Sequence, residues 1–222
     1  MIGANVQSST KERILCAAER LFTEHGFDAT SLRMITSDAE VNLAAVNYHF
    51  HSKDALIEAV FARRIGPLNQ KRLEMLEACL AHAGSGPLPL EDVLHAFVTP
   101  IIRMRQEAID RGADFAPLFG RMYSDPSGSA RRSFLAQMRQ IAQPFTDAFG
   151  RALPEMPRGE LLWRMYFTIG VMAHTLAGGH YLQAMSQGLC DASDTEGLIE
   201  RIVAFVAAGM RAPLPAASHR SE

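Results

Sequence analysis

Long apolar runs are missing from this chain. None approaches the roughly 18 residues needed to cross a bilayer, and the first ten residues lack the charged start and apolar block of a secretory signal. The expected setting is cytoplasmic, with no membrane partner. Cysteine is scarce: Cys16, Cys79 and Cys190 lie far apart without a CxxC pair, which argues against a disulfide scaffold or a thiolate zinc site. His174 and His180 do not share a helix face well enough to chelate, so neither metal nor cofactor is expected. No Gly-rich phosphate loop, Ser-His-Asp order or paired carboxylate cluster stands out, and the chain is not read as an enzyme. Positive charge is not in excess either. The net charge is −2, and residues 1–64 carry seven basic side chains against eight acidic ones. Contact with nucleic acid would have to come from a few placed side chains and backbone amides, doubled by dimerisation.

Helical periodicity, by contrast, is nearly everywhere in the 222 residues, and no run alternates as a half-buried strand would. The expected fold is all-α. Ser9-Thr-Lys-Glu12 reads as a capping box opening a helix with Ile14, Leu15, Ala18, Leu21 and Phe22 on one face, stopped at Gly26. Thr30 or Ser31 starts a second helix, Asn42 caps a third and Ser52 a fourth. Gly66-Pro67 is expected to interrupt or kink that fourth helix, because proline lacks the donor and clashes with the preceding turn. The predicted division is a three-helix head over residues 1–65, a helical body over 66–212 and a disordered tail over 213–222. Within the body, helices are predicted from Leu90 to Arg111 (bent at Pro100), Ala113 to Tyr123, Ser129 to Leu153, Arg158 to Gln187 and Thr195 to Arg211.

Within the head, Leu32, Ile35 and Ala39 share one helix face, and Val46 and Phe50 supply matching apolar positions at i, i+4 spacing. Burying these together leaves Leu43, Ala44, Asn47 and Tyr48 facing outward, the layout of a helix-turn-helix whose second helix enters the major groove. Residues 11–59, through Ile14-Leu-Cys-Ala-Ala-Glu-Arg-Leu-Phe22, Gly26-Phe27, Thr30 and Tyr48-His-Phe-His-Ser-Lys-Asp-Ala-Leu56, resemble the DNA-binding domain of the TetR family of bacterial transcriptional regulators. Within the family, Val41-Asn-Leu-Ala-Ala-Val-Asn-Tyr-His-Phe50, Leu162-Trp-Arg164 and Ala207-Ala-Gly-Met-Arg-Ala212 are similar to a fatty-acid-responsive pseudomonad regulator of a sigma-factor gene. The resemblance implies that Tyr48, His49 and Lys53 contact phosphates. It also places Thr30, Ser31, Arg33, Asn42, Leu43 and Ala44 at or near the DNA. Leu43 and Ala44 stand where the family often has a basic residue followed by glycine, so they can touch thymine methyls but donate little. Arg33 and Asn47, each able to make bidentate contacts, are the candidates for reading base edges.

The chain's eleven methionines and twelve phenylalanines, most of them in the body, give it an adaptable interior suited to a small apolar effector. Met104, Phe115, Phe119, Met122, Phe145, Trp163, Phe167 and His174 are the candidate ligand-binding residues, with Arg103, Arg121 or His174 available to a carboxylate. In the last helix Leu198, Ile202 and Phe205 form a stripe, with Ile199, Val203 and Val206 beside it. By resemblance, that helix and the long helix before it form a homodimer contact, with Gly178-Gly179 allowing close approach. The expected function is a ligand-responsive regulator, a repressor, binding a palindromic double-stranded DNA operator as a dimer. Its expected effector is a long-chain fatty acid or acyl-CoA. The alternatives are an aromatic effector, or a helical small-molecule binder or enzyme whose head does not bind DNA.

Overall fold

The computed structural model describes residues 9–112, 118, 121, 125–191 and 193–214, with the side chains of 177–180 left out. Regular structure among them is helical: α1 (Thr10–His25), α2 (Leu32–Asp38), α3 (Leu43–Phe50), α4 (Lys53–Ala83), α5 (Leu90–Asp110), α6 (Ser129–Ala152), α7 (Arg158–Met185) and α8 (Thr195–Arg211). The chain is all-α, as expected. Local chemistry starts the helices of the head. Side-chain oxygens of Ser9, Ser31, Asn42 and Ser52 accept from the backbone N–H of Glu12, Met34, Ala45 and Ala55 at 3.2, 3.2, 2.8 and 3.1 Å. Each satisfies a donor that a helix start otherwise leaves open. Gly26 ends α1 at φ +86, donating its N–H to the Phe22 carbonyl at 2.9 Å, a conformation natural to glycine. The tail beyond residue 214 and most of the predicted helix from Ala113 to Tyr123 lie outside the described residues.

Prolines do not break the long helices. α4 continues through Pro67, so of the two expected outcomes the helix is not interrupted there, and Pro100 and Pro144 also lie inside helices. Proline removes one donor, whereas Ile65 and Leu68 on either side of Pro67 are each buried. Burial of two such side chains is worth roughly 3–6 kcal/mol, enough to offset the single lost bond.

Two compact units separate, the first within Met1–Pro67 and Ala113–Gln140, the second within Leu68–Gly112 and Ile141–Glu222. The first boundary, at Pro67, lies beside the expected one at residue 65, and a later segment, 113–140, groups with the first unit. Leu118 and Ala130 are buried in the same core as Ile14, Phe22, Val46 and Phe61, and Phe134 and Met138 pack against it. Ser129 Oγ donates to Asp54 Oδ1 at 2.7 Å, and Arg121 donates to the Thr23 and Glu24 carbonyls at 3.2 and 2.6 Å, closing the open end of α1. Periodicity alone identifies a helix but not the core it joins. In the second unit α5 packs chiefly on α8, which also meets α7. Arg103 pairs with Glu196 at one end of the α5–α8 contact and Arg211 with Glu91 at the other, so the two helices run antiparallel. Among the described residues no helix is long and apolar enough to cross a membrane.

Candidate functional site

α2, α3 and the turn between them form a helix-turn-helix held from behind. Ile35, Ala39, Val46 and Phe50 are buried in the first unit's core. The turn passes through Glu40 at φ +50, a left-handed conformation that costs a non-glycine residue about 1 kcal/mol. Arg13 braces it, donating from Nη2 to the Ala39 and Glu40 carbonyls at 2.5 and 2.7 Å. Sequence reasoning missed this brace, because Arg13 lies 26 positions from the turn and reads as an ordinary surface arginine. Arg20, bonded to both Glu24 and Asp38, crosses from α1 to α2 beside it.

With that packing, Leu43, Ala44, Asn47 and Tyr48 all face outward on α3, and Arg33 is exposed on α2. Tyr48 is 79% exposed, an unusual position for a large aromatic unless something covers it. Half-buried His49 sits edge-on to Tyr48, with ring centroids 5.1 Å apart. Lys53, in the first turn of α4, sends Nζ to the Asp28 carbonyl at 3.3 Å. This gathers Arg33, Leu43, Ala44, Asn47, Tyr48, His49 and Lys53 in the helix-turn-helix and the start of the next helix. The other expected contacts differ. Thr30 is fully buried, and its Oγ1 donates to the Leu21 and Gly26 carbonyls at 3.1 and 2.7 Å, so its side chain faces inward. The side-chain oxygens of Ser31 and Asn42 are engaged as helix caps.

The candidate ligand-binding residues that lie among the described ones are divided between interior and surface. Phe145 is fully buried, its ring 4.9 Å from Phe97 and 6.2 Å from Phe149, and Met104 is half-buried. Trp163, Phe167 and His174, expected to line an interior pocket, are exposed on α7. Trp163 stacks on Phe167 at 5.8 Å and meets Tyr166 edge-on at 6.2 Å, beside a groove of about 510 Å³ lined by Gly159, Leu162, Trp163 and Tyr166. An apolar helix stripe looks the same in sequence whether its own chain or something else covers it. Phe115, Phe119 and Met122 lie outside the described residues, as does the His180 side chain. Among the proposed acid anchors, Arg103 is committed to Glu196 and Arg121 to α1.

One arginine escaped the sequence reading. Arg72 of α4 is 3% exposed, donates from Nε to the Phe97 carbonyl at 2.8 Å and lies 4.5 Å over the Phe97 ring. Burial pushes its pKa down to about 9. Among the described residues no group of three His, Cys, Asp or Glu could hold a metal ion.

Residues 14–60 match the family of bacterial regulatory proteins, tetR family, and residues 95–209 match the tetracyclin repressor-like C-terminal domain. The second match alone covers more than half of the chain. The chain belongs to the TetR family. Members of that family are transcriptional regulators, with an N-terminal DNA-binding domain and a C-terminal ligand-binding domain. Among curated relatives, the HTH-type transcriptional regulator UidR of Escherichia coli K12 is 39% identical over 51 residues, covering 23% of this chain and 26% of UidR. The chain thus matches only about a quarter of that relative's length. Among solved structures, the fatty acid degradation regulator FadR of Bacillus halodurans has a TM-score of 0.61 at 12% identity, covering 92% of this chain and 97% of that one. FadR of Bacillus subtilis, solved in complex with stearoyl-CoA, has a TM-score of 0.59 at 12% identity, covering 89% and 97%. At such identity the likeness carries the fold alone.

Proposed function

We propose that this TetR-family regulator is a repressor that binds a partly palindromic operator as a homodimer and leaves it when an elongated apolar effector occupies the second unit. The observation that carries the DNA reading is the outward face of α3, with Leu43, Ala44, Asn47 and Tyr48 exposed together on a helix packed from behind. Asn47 and Arg33 read base edges, Leu43 and Ala44 meet thymine methyls, and Tyr48, His49 and Lys53 hold phosphates. The head's balanced charge makes dimerisation necessary for useful affinity. Support for a dimer comes from the exposed apolar side chains of α7, which include Leu162, Trp163, Tyr166, Phe167 and Tyr181, and from Phe205 of α8, 70% exposed. A second copy covering them would remove these exposed apolar side chains from water.

The proposed effector is a long-chain fatty acid or its coenzyme A thioester. The aromatic interior around Phe97, Phe145 and Phe149 supports an apolar chain. The fold likeness to a regulator solved with stearoyl-CoA points the same way. The test is selection of bound genomic fragments by the purified dimer at low salt, followed by release with fatty acids of graded chain length and with aromatic acids. An enriched palindrome released with a chain-length optimum is the expected result. Absence of any enriched sequence from a folded dimer overturns the repressor reading in favour of a helical binder with an idle head. Release by aromatic acids alone removes only the fatty-acid effector.

A further inference from the structure

Two arginines are buried in the second unit among the described residues, and their surroundings differ sharply. Arg164 on α7 is completed: Nε meets Glu160 at 2.9 Å, and its Nη atoms donate to the carbonyls of Gly209, Met210, Ala212 and Pro213 at 3.1, 2.8, 2.7 and 3.3 Å. It serves as the C-terminal cap of α8, where open carbonyls gather negative charge. Arg72 has neither a carboxylate nor a helix end among the described residues. Its Nε is taken by the Phe97 carbonyl, and the Phe97 ring lies beneath its guanidinium. Buried cations are ordinarily paired. Here one carbonyl and one aromatic face do part of that work, and among the described residues no carboxylate meets the charge.

A guanidinium presents two forked edges to a planar acid, one through Nε and an Nη, the other through both Nη groups. At Arg72 the first edge is committed through Nε, which leaves the Nη pair. The Phe97 ring that carries the cation lies 4.9 Å from Phe145 and 6.3 Å from Phe149, so a buried cation and a cluster of buried aromatic rings occur side by side within one unit. We propose that Arg72 seats the acid group of the effector, a free carboxylate accepting hydrogen bonds from the Nη pair while its apolar chain lies along Phe97, Phe145 and Phe149. The lowered pKa of Arg72 agrees with this, since burial disfavours the cation and a neighbouring anion favours it. The inference rests on the ligand-responsive reading above and narrows it. A thioester has no carboxylate to offer at the head of its chain, so the free acid is selected over the coenzyme A form.

The test uses the intact protein and sodium salts of saturated fatty acids from about C12 to C18, chains long enough to bury a substantial apolar area, with their methyl esters and coenzyme A thioesters. Binding is measured by calorimetry on wild type, Arg72→Met and Arg72→Lys, with circular dichroism to establish folding and gel shift to follow operator binding. Wild type is expected to bind the acids at least about tenfold more tightly than the matched esters and thioesters. Arg72→Met is expected to lose that preference while keeping its ester affinity, and Arg72→Lys to keep part of it. Equal binding of acid and ester by wild type overturns the proposal even if neither variant folds. So does an undiminished acid preference in folded Arg72→Met, or a wild type that binds none of the acids. Wild type that binds acids at Arg72 but no operator overturns the repressor reading alone. Wild type that binds operator but no acid overturns the Arg72 seat alone.

Discussion

Lys53 is held in the free protein by one bond, from Nζ to the Asp28 carbonyl at 3.3 Å. Exchanging that carbonyl for a nearby phosphate oxygen replaces a neutral acceptor by a charged one. Lys53→Ala is therefore expected to weaken binding to every DNA sequence alike and to lower the slope of log affinity against log salt by about 1, as measured by fluorescence titration across a salt series. Asn47→Ala and Arg33→Ala should instead change base preference, each costing about 1–3 kcal/mol on the favoured operator and much less on unrelated DNA. Equal losses on all sequences from all three variants would refute the division between positioning and reading. The buried arginines make a second residue-scale contrast. Arg164→Met strands Glu160 and four carbonyls, and is expected to cost about 3 kcal/mol in thermal or urea unfolding. Arg72→Met removes a cation with no acid partner among the described residues, and is expected to leave stability unchanged or higher, as replacing buried charge by apolar volume often does.

Element by element, what a sequence reveals depends on how far away the stabilising partner lies. Ser9, Ser31, Asn42 and Ser52 each bond an N–H three residues along the chain, so the starts of the head's helices were legible. Thr30 was not, because its Oγ1 turns back to Leu21, nine positions away, inside the core. The Arg13 brace and the Arg121 cap of α1 were hidden for the same reason. Apolar stripes locate helix faces without saying what covers them. In α8 the stripe separates: Ile199, Ile202, Val203 and Val206 are buried in the unit's own core, while Phe205 faces out. On α7, Trp163 and Phe167 also face out, where an interior wall was expected. Phe205 thus offers a clean probe of self-association. Since its side chain is 70% exposed, Phe205→Asp is expected to preserve helicity and unfolding temperature yet convert a dimer to a monomer by multi-angle light scattering. A folded Phe205→Asp variant that remains dimeric would place the contact elsewhere.

At the scale of the whole molecule, regulation is a free-energy coupling between effector and operator, and its size bounds what the effector must do. Lowering operator affinity a hundredfold requires the effector to favour the DNA-incompetent state by about 2.7 kcal/mol; tight binding to both states would change nothing. The cost is reciprocal, because the same factor must separate effector affinity for the free protein from effector affinity for the operator complex. Residues 113–140, part of which join the first unit's core through Leu118 and Ala130, make that unit more than an N-terminal three-helix fragment. An isolated fragment of residues 1–67 would lose Leu118 and Ala130 from its core and the Phe134 ring beside Phe61, and is expected to unfold at lower temperature than the intact chain. Coupling is therefore best measured on the whole protein. Calorimetric titration of a C16 fatty acid should give a dissociation constant weakened by the same factor in the presence of saturating operator as the operator loses in the presence of saturating acid. Agreement of the two factors, with a hundredfold effect on each, is the expected outcome for an inducer. A fatty acid that binds equally well with and without operator cannot be the signal that releases this regulator, however tight its binding.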